Sequence, residues 1–187
     1  TFDEIRSGAG KNIANCPDEE AAEEMVRRTL EAKEAGDTVG GVIECIARGV
    51  PPGLGEPVFD KIEGDIAKGI MTIPSVKGIE FGLGFGFKDK RGSQVNDIPY
   101  VDNGRVRHRT NYAGGVLGGI TNGEDIVVRV VVKPTSTISI EQDTVHIWEM
   151  RDAKFRATTR RDATIAPRAV PVVEAMIAIC ITDHLMM

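Results

Sequence analysis

Ten of the chain's 21 glycines lie between residues 82 and 123, and no other feature constrains the fold as strongly. Gly82, Gly84, Gly86, Gly92, Gly104, Gly114, Gly115, Gly118, Gly119 and Gly123 mark a segment too long to be an idle connector in a compact domain. Long loops of this kind carry function or disorder.

Residues 17–36 are predicted as an exposed amphipathic helix. Pro17 suits its first position, Asp18, Glu19 and Glu20 favour the positive end of the helix dipole, and Gly36 supplies a left-handed stop. Ala22, Met25, Val26 and Leu30 recur on one face at three- and four-residue spacing. Residues 38–81 read as a βαβ unit. Its strand, residues 38–49, carries Val42, Ile43, Cys45 and Ile46, and the breaker run Val50-Pro51-Pro52-Gly53-Leu54-Gly55-Glu56-Pro57 follows. A helix striped by Val58, Phe59, Ile62, Ile66 and Ile70 comes next, then Pro74 and Ser75 turn into the strand 76–81. Beyond the glycine segment, residues 124–187 hold a β-branched strand at 125–133 and a closing helix at 167–187, apolar almost all round and so expected to be buried.

Composition narrows the function. Net charge is −5 and aromatics are 5%, which argues against a nucleic-acid binder, since neither a basic surface nor stacking platforms are available. The most apolar stretch, residues 169–181, is interrupted by Pro171 and Glu174, so a soluble chain without a membrane span is expected. Cys16, Cys45 and Cys180 are far apart and odd in number, consistent with reduced thiols rather than a disulfide framework or a zinc site. Thr1 opens the chain without an initiator Met or a signal segment, as expected of a processed chain or a piece of a longer one.

Three features could carry chemistry. Gly114-Gly115-Val116-Leu117-Gly118-Gly119-Ile120 would let a backbone approach an anionic ligand, although a tight structural turn fits equally well. Lys133-Pro134-Thr135-Ser136-Thr137 places a cation and three hydroxyls at a strand exit, suited to gripping a phosphate or simply to leaving the strand in solvent. Between Arg151 and Arg168, six basic residues (Arg151, Lys154, Arg156, Arg160, Arg161, Arg168) face two acids, Asp152 and Asp162. Either a multiply charged anion binds there or these cations pair with acidic helix faces. Asp162 beside two guanidiniums would stay ionised and could take a substrate proton. His108, His146 and His184 show no metal-ligand spacing, and His184 reads as a packed or capping group.

Several long strings together resemble the chorismate synthase family: Gly40 to Glu44, Arg48 to Lys61, Val76 to Glu80, Arg91 to Ser93, Asn111 to Ile120, Lys133 to Ser136 and Arg168 to Met176, in the family's order and approximate spacing. The resemblance runs from about Thr38 to the C-terminus. It implies an α+β fold, a β-α-β sandwich, in a homotetrameric cytoplasmic enzyme of aromatic amino-acid biosynthesis. That enzyme converts 5-enolpyruvylshikimate 3-phosphate to chorismate and phosphate by 1,4-anti elimination and needs reduced FMN. It implies no nucleic-acid or membrane partner.

Carried over by position, Pro74, Ser75, Gly118, Lys133, Pro134, Thr135, Ser136, Thr137 and Arg160 would contact FMN, and Asp162 would be the catalytic proton acceptor. No metal site is implied. The family's Arg-His-Asp-Pro-Cys stands here as Arg160-Arg161-Asp162-Ala163-Thr164, an exchange that adds a fixed cation and removes a rigid proline. The family's N-terminal half, with a Gly-Glu-Ser-His-Gly segment and further substrate-binding arginines, has no counterpart in these residues, so little or no activity is expected of the chain alone. A non-catalytic flavin-binding or scaffold relative is the alternative.

Overall fold

The computed structural model describes residues 5, 8, 10–158 and 162–187. Helices and mostly antiparallel two-stranded sheets combine in an α+β fold. The chain divides into two compact units, residues 1–41 with 132–170 and residues 42–131 with 171–187.

In the first unit, helix α1 spans Glu19–Glu34. Its N-cap is Asp18, whose Oδ1 accepts the Ala21 N–H at 2.8 Å, so Pro17 precedes the helix instead of opening it. A cap carboxylate satisfies a backbone donor that proline could only leave absent. Only Ala22 of the predicted stripe is buried, while Met25 and Leu30 are half-exposed. Gly36 ends the helix at φ +76°, as the sequence predicts. Strands β8 (Gln142–His146) and β9 (Arg151–Phe155) form an antiparallel hairpin pairing His146 with Arg151.

The second unit holds the main core. A three-stranded sheet runs β1 (Gly41–Ala47), β7 (Ile126–Val132), β2 (Val76–Phe81). The two strands of the predicted βαβ unit are therefore not neighbours: β7, from far along the chain, lies between them. Its alternation is clean, with Ile126, Val128 and Val130 fully buried.

Helix α2 (Ile62–Met71) buries Ile62, Ile66 and Ile70 completely. Val58 and Phe59 lie outside it and are 73% and 92% exposed, because Glu56 and Asp60 pair across a tight turn and delay the helix start. Within residues 82–123 the glycines do not leave one long loop. The chain forms a 3-10 turn (Gly84–Asp89), a single α-turn (Gly92–Val95) and two hairpins, β3–β4 (Pro99–Asp102, Arg105–His108) and β5–β6 (Val116–Leu117, Ile120–Thr121).

Helix α3 spans Ala166–Met186 and continues through Pro171. Proline has no N–H for the carbonyl four residues back, and the Pro167 carbonyl accepts the Asn15 Nδ2–H instead, at 2.7 Å. The helix is long and apolar enough, with mean hydropathy 1.6, to cross a membrane by length and composition, contrary to the expectation from Pro171 and Glu174. Nor is it buried all round. Val173, Ile177 and Ile181 form an inner stripe, whereas Val172, Ile179 and Leu185 are exposed. His184 is packed as expected, its Nε2 3.0 Å from Asp65 Oδ2 on α2.

Cys45 on β1 faces inward, and burial pushes its thiol up to about 11, the Glu174 carboxylate adding to the effect. At pH 8 roughly one thiol in a thousand is then ionised. Iodoacetamide labelling with peptide mass mapping should therefore leave Cys45 unmodified in the folded chain and label it in urea. Equal labelling rates in the two states would contradict its placement in the sheet.

Candidate functional site

The residues that the sequence predicts for a site fall in both units, and each group is described by itself. In the second unit, Pro74 and Ser75 occupy a turn closed by the Val76 N–H to the Ile73 carbonyl at 3.2 Å. Ser75 has φ +70°, so proline and a positive-φ residue take the two central positions of a type II-like turn. Gly118 and Gly119 connect β5 to β6, with Leu117 opposite Ile120. Both glycines have positive φ, +64° and +91°, which suits a two-residue hairpin turn of the primed class. Their surroundings differ. A Cβ on Gly118 would meet open space, whereas one on Gly119 would fall 2.4 Å from Lys61 Cγ. Gly119 is thus structural, and Gly118 leaves its backbone accessible.

The Val50–Pro57 breaker run docks on this hairpin. Thr121 Oγ1 donates to the Pro51 carbonyl at 2.7 Å and accepts the Leu54 N–H at 2.9 Å, and the Gly119 carbonyl accepts the Ile62 N–H at the start of α2. Asn111 braces the other side, donating to the Asp125 carbonyl and accepting the Gly115 N–H, each at 2.7 Å.

In the first unit, the Lys133–Thr137 segment leaves β7 against Gly40. A Cβ at Gly40 would lie 2.6 Å from the Val132 carbonyl oxygen, so only glycine admits this approach. The Thr38 hydroxyl donates to the Thr135 carbonyl at 2.6 Å, and the Ser136 carbonyl accepts the Gln142 amide at 3.4 Å. Thr135 Oγ1 is buried and has no hydrogen-bond partner among the described residues. Lys133 is exposed with no ion pair among them. Buried hydroxyls are rarely left unpaired, so this one fits a ligand oxygen. With the cation at the same strand exit, the residues suit an anionic, oxygen-rich cofactor such as FMN.

Asp162 Oδ2 forms an ion pair with Arg168 Nη1 at 2.8 Å, and next to it the Ala163 carbonyl receives the Val39 N–H at 2.8 Å. Arg160 and Arg161 lie outside the described residues. The rest of the basic cluster is partly neutralised: Arg151 pairs with Glu149, and Lys154 with Asp143 across the β8–β9 hairpin. Of the two sequence explanations, local ion pairing accounts for these two cations. The acids involved are hairpin residues, not the helix faces the sequence pointed to.

Sequence reasoning missed two polar centres. Arg129 on β7 donates from Nε to Glu80 at 2.6 Å, from Nη1 to Glu44 at 3.3 Å and from Nη2 to the Gly82 carbonyl. Strand order alone aligns these three side chains, so no local pattern could reveal them. Asp97 accepts Thr110 Oγ1 at 2.7 Å and the Tyr112 and Ala113 N–H groups, both at 2.8 Å. Burial works to raise its pKa, but these three bonds win and hold the carboxyl below its usual range. An aspartate two residues before a proline is the only sequence signal, and it is a weak one.

The family model for chorismate synthase matches residues 3–186. The chain is 53% identical over 187 residues to chorismate synthase of Acetivibrio thermocellus, covering 99% of this chain and 48% of that protein. The corresponding protein of Trichodesmium erythraeum is 49% identical, with 100% and 49% covered, and that of Methanosarcina mazei is 45% identical, with 100% and 51% covered. A crystal structure of chorismate synthase superimposes with a TM-score of 0.75 at 37% identity, covering 92% of this chain and 45% of that one. The chain thus spans about half the length of the relatives it matches.

Proposed function

The chain belongs to the chorismate synthase family, and we propose that it forms part of an enzyme that eliminates phosphate from 5-enolpyruvylshikimate 3-phosphate to give chorismate with reduced FMN bound. Reduced FMN, when bound, supplies electron density as phosphate departs, with no net redox change. The Lys133 ammonium and the Thr135 hydroxyl would hold its anionic, oxygen-rich groups, with Pro134, Ser136 and Thr137 in the same segment. Pro74, Ser75 and Gly118 would meet the flavin at their two turns, where Gly118 has open space beside its backbone. Arg160 meets the ligand.

Asp162 is the proton acceptor for the departing C6 hydrogen. Its Oδ2 is engaged by Arg168, leaving Oδ1 without a partner among the described residues. That ion pair would orient the carboxylate for the role. The assembly is a cytoplasmic homotetramer in this reading, without nucleic acid or membrane.

The Thr135 hydroxyl, without a partner among the described residues, supports this site assignment. The test is an anaerobic titration of reduced FMN with 5-enolpyruvylshikimate 3-phosphate present, followed by flavin absorbance, on the chain and on Thr135→Val. Saturable binding that weakens roughly tenfold in the variant is expected, within the range for a lost hydrogen bond. Equal binding by the two would remove Thr135 from the site. The chain alone is expected to bind without measurable turnover, because it spans about half of its relatives. Turnover at a rate ordinary for complete enzymes would overturn that expectation.

A further inference from the structure

In the first unit, the short stretch that leads from α1 into β1 is bonded to both candidate site segments. Asp37 is tied back to α1 by its N–H bond to the Ala32 carbonyl at 2.8 Å. Thr38, only 8% exposed, donates its hydroxyl to the Thr135 carbonyl at 2.6 Å. A carbonyl can only accept, so the direction of this bond is fixed. The next residue, Val39, donates its N–H to the Ala163 carbonyl at 2.8 Å, one residue beyond Asp162. The two glycines that follow repeat these contacts. A Cβ on Gly40 would fall 3.1 Å from Pro134 Cδ as well as against the Val132 carbonyl, and one on Gly41 would fall 2.8 Å from Ala166 Cβ. Thr38 and Gly40 therefore lie on the Lys133–Thr137 segment, and Val39 and Gly41 on residues 163–166.

We propose that Thr38 is a positioning residue for the candidate site. Its hydroxyl holds the Thr135 main chain against a backbone whose next N–H holds Ala163, and so fixes where the Thr135 hydroxyl stands relative to Asp162. The division of labour at Thr135 is clear. Its carbonyl is taken by Thr38, which leaves its own hydroxyl, buried and without a partner among the described residues, to a ligand oxygen. An apolar residue of the same shape at position 38 would leave the Thr135 carbonyl without this donor, and the cost of the unmade bond would fall on the segment itself. Thr38 touches neither ligand nor reacting atoms in this reading, and acts only through Thr135 and the adjacent Val39. Its bearing on flavin rests on the reading of the Lys133–Thr137 segment given above.

Hydrogen exchange and the flavin titration test this on Thr38→Val, which keeps the shape and removes the hydroxyl, and on Thr38→Ser, which restores it. In Thr38→Val the Val39 amide keeps its own acceptor, yet it should exchange roughly fivefold faster, within the range for one lost hydrogen bond. Leu30, inside α1 of the same unit, should change less. Reduced FMN, titrated with 5-enolpyruvylshikimate 3-phosphate present, should bind roughly fivefold more weakly. Thr38→Ser should recover both. Should Thr38→Val not fold, Thr38→Cys, whose thiol donates only weakly, takes its place. The proposal is overturned by Val39 exchange that rises no more than that of Leu30, by equal flavin binding where the original chain binds saturably, or by Thr38→Ser behaving as Thr38→Val does. If the original chain binds no flavin, the proposed function fails, while Val39 exchange still decides the role of Thr38.

Discussion

Gly82→Ala is expected to destabilise the chain by about 2–4 kcal/mol, combining a left-handed backbone penalty with overpacking. Gly82 has φ +53° and is buried. A Cβ there would lie 2.0 Å from the Tyr112 carbonyl oxygen and 2.4 Å from the Gly114 nitrogen. Both are backbone atoms that cannot rotate aside. Moving them would disturb the Leu83 N–H bond to the Tyr112 carbonyl and the Gly82 N–H bond to the Val127 carbonyl, and with them the path into the Gly118 turn. Urea unfolding followed by circular dichroism measures the loss as a lower midpoint. Gly92→Ala is the control, because a Cβ there meets nothing within 4 Å and φ is not left-handed. A midpoint for Gly82→Ala equal to that of the control would mean that the two backbones do not approach as described.

Arg129→Met is expected to cost about 2–3 kcal/mol near neutral pH, in the range for hydrogen bonds to charged groups. The change leaves Glu80, Glu44 and the Gly82 carbonyl without their shared donor. With the Arg129 and Glu80 side chains 29% and 25% exposed, water recovers part of the loss, so the full penalty of a buried unpaired charge does not apply. The pH dependence has a definite direction. The Phe85 N–H and then Arg129 hold the Glu80 carboxyl below its usual range, against the opposing effect of burial. A depressed carboxylate contributes stability that is present above the unfolded-state pKa, about 4.3, and is lost as pH falls through the folded value. The gap between the original chain and Arg129→Met should therefore narrow below about pH 4. Adding Glu80→Gln to Arg129→Met should recover part of the loss at neutral pH. A gap that is constant from pH 7 to pH 3 would show that the ion pair is not the source.

Local signals served best where local physics decides the structure. The Ile62, Ile66 and Ile70 stripe, the β-branched β7 and the Gly36 stop are present as read, because side-chain period and glycine's freedom at positive φ act over a few residues. The start of α2 differed, since the Glu56 and Asp60 pairing outweighs the apolar Val58 and Phe59. Pro171 did not break α3, because the distant Asn15 satisfies the carbonyl it frees. Lys133–Thr137 could be read from its own chemistry, as a phosphate-gripping segment or a plain strand exit. The Arg129 and Asp97 centres could not, since each depends on partners that sequence spacing leaves far apart.

The sequence by itself determined the family, the Gly36 stop and the helix and strand periods, all of which are written in short strings of residues. Only the tertiary structure decided that β7 separates β1 from β2, that Gly119 is confined while Gly118 is open, and that the Thr135 hydroxyl is buried with no partner among the described residues. The physical reason is range. Propensity and turn chemistry are settled between near neighbours along the chain, whereas burial, hydrogen-bond satisfaction and charge pairing depend on which distant segments the fold brings within a few ångströms.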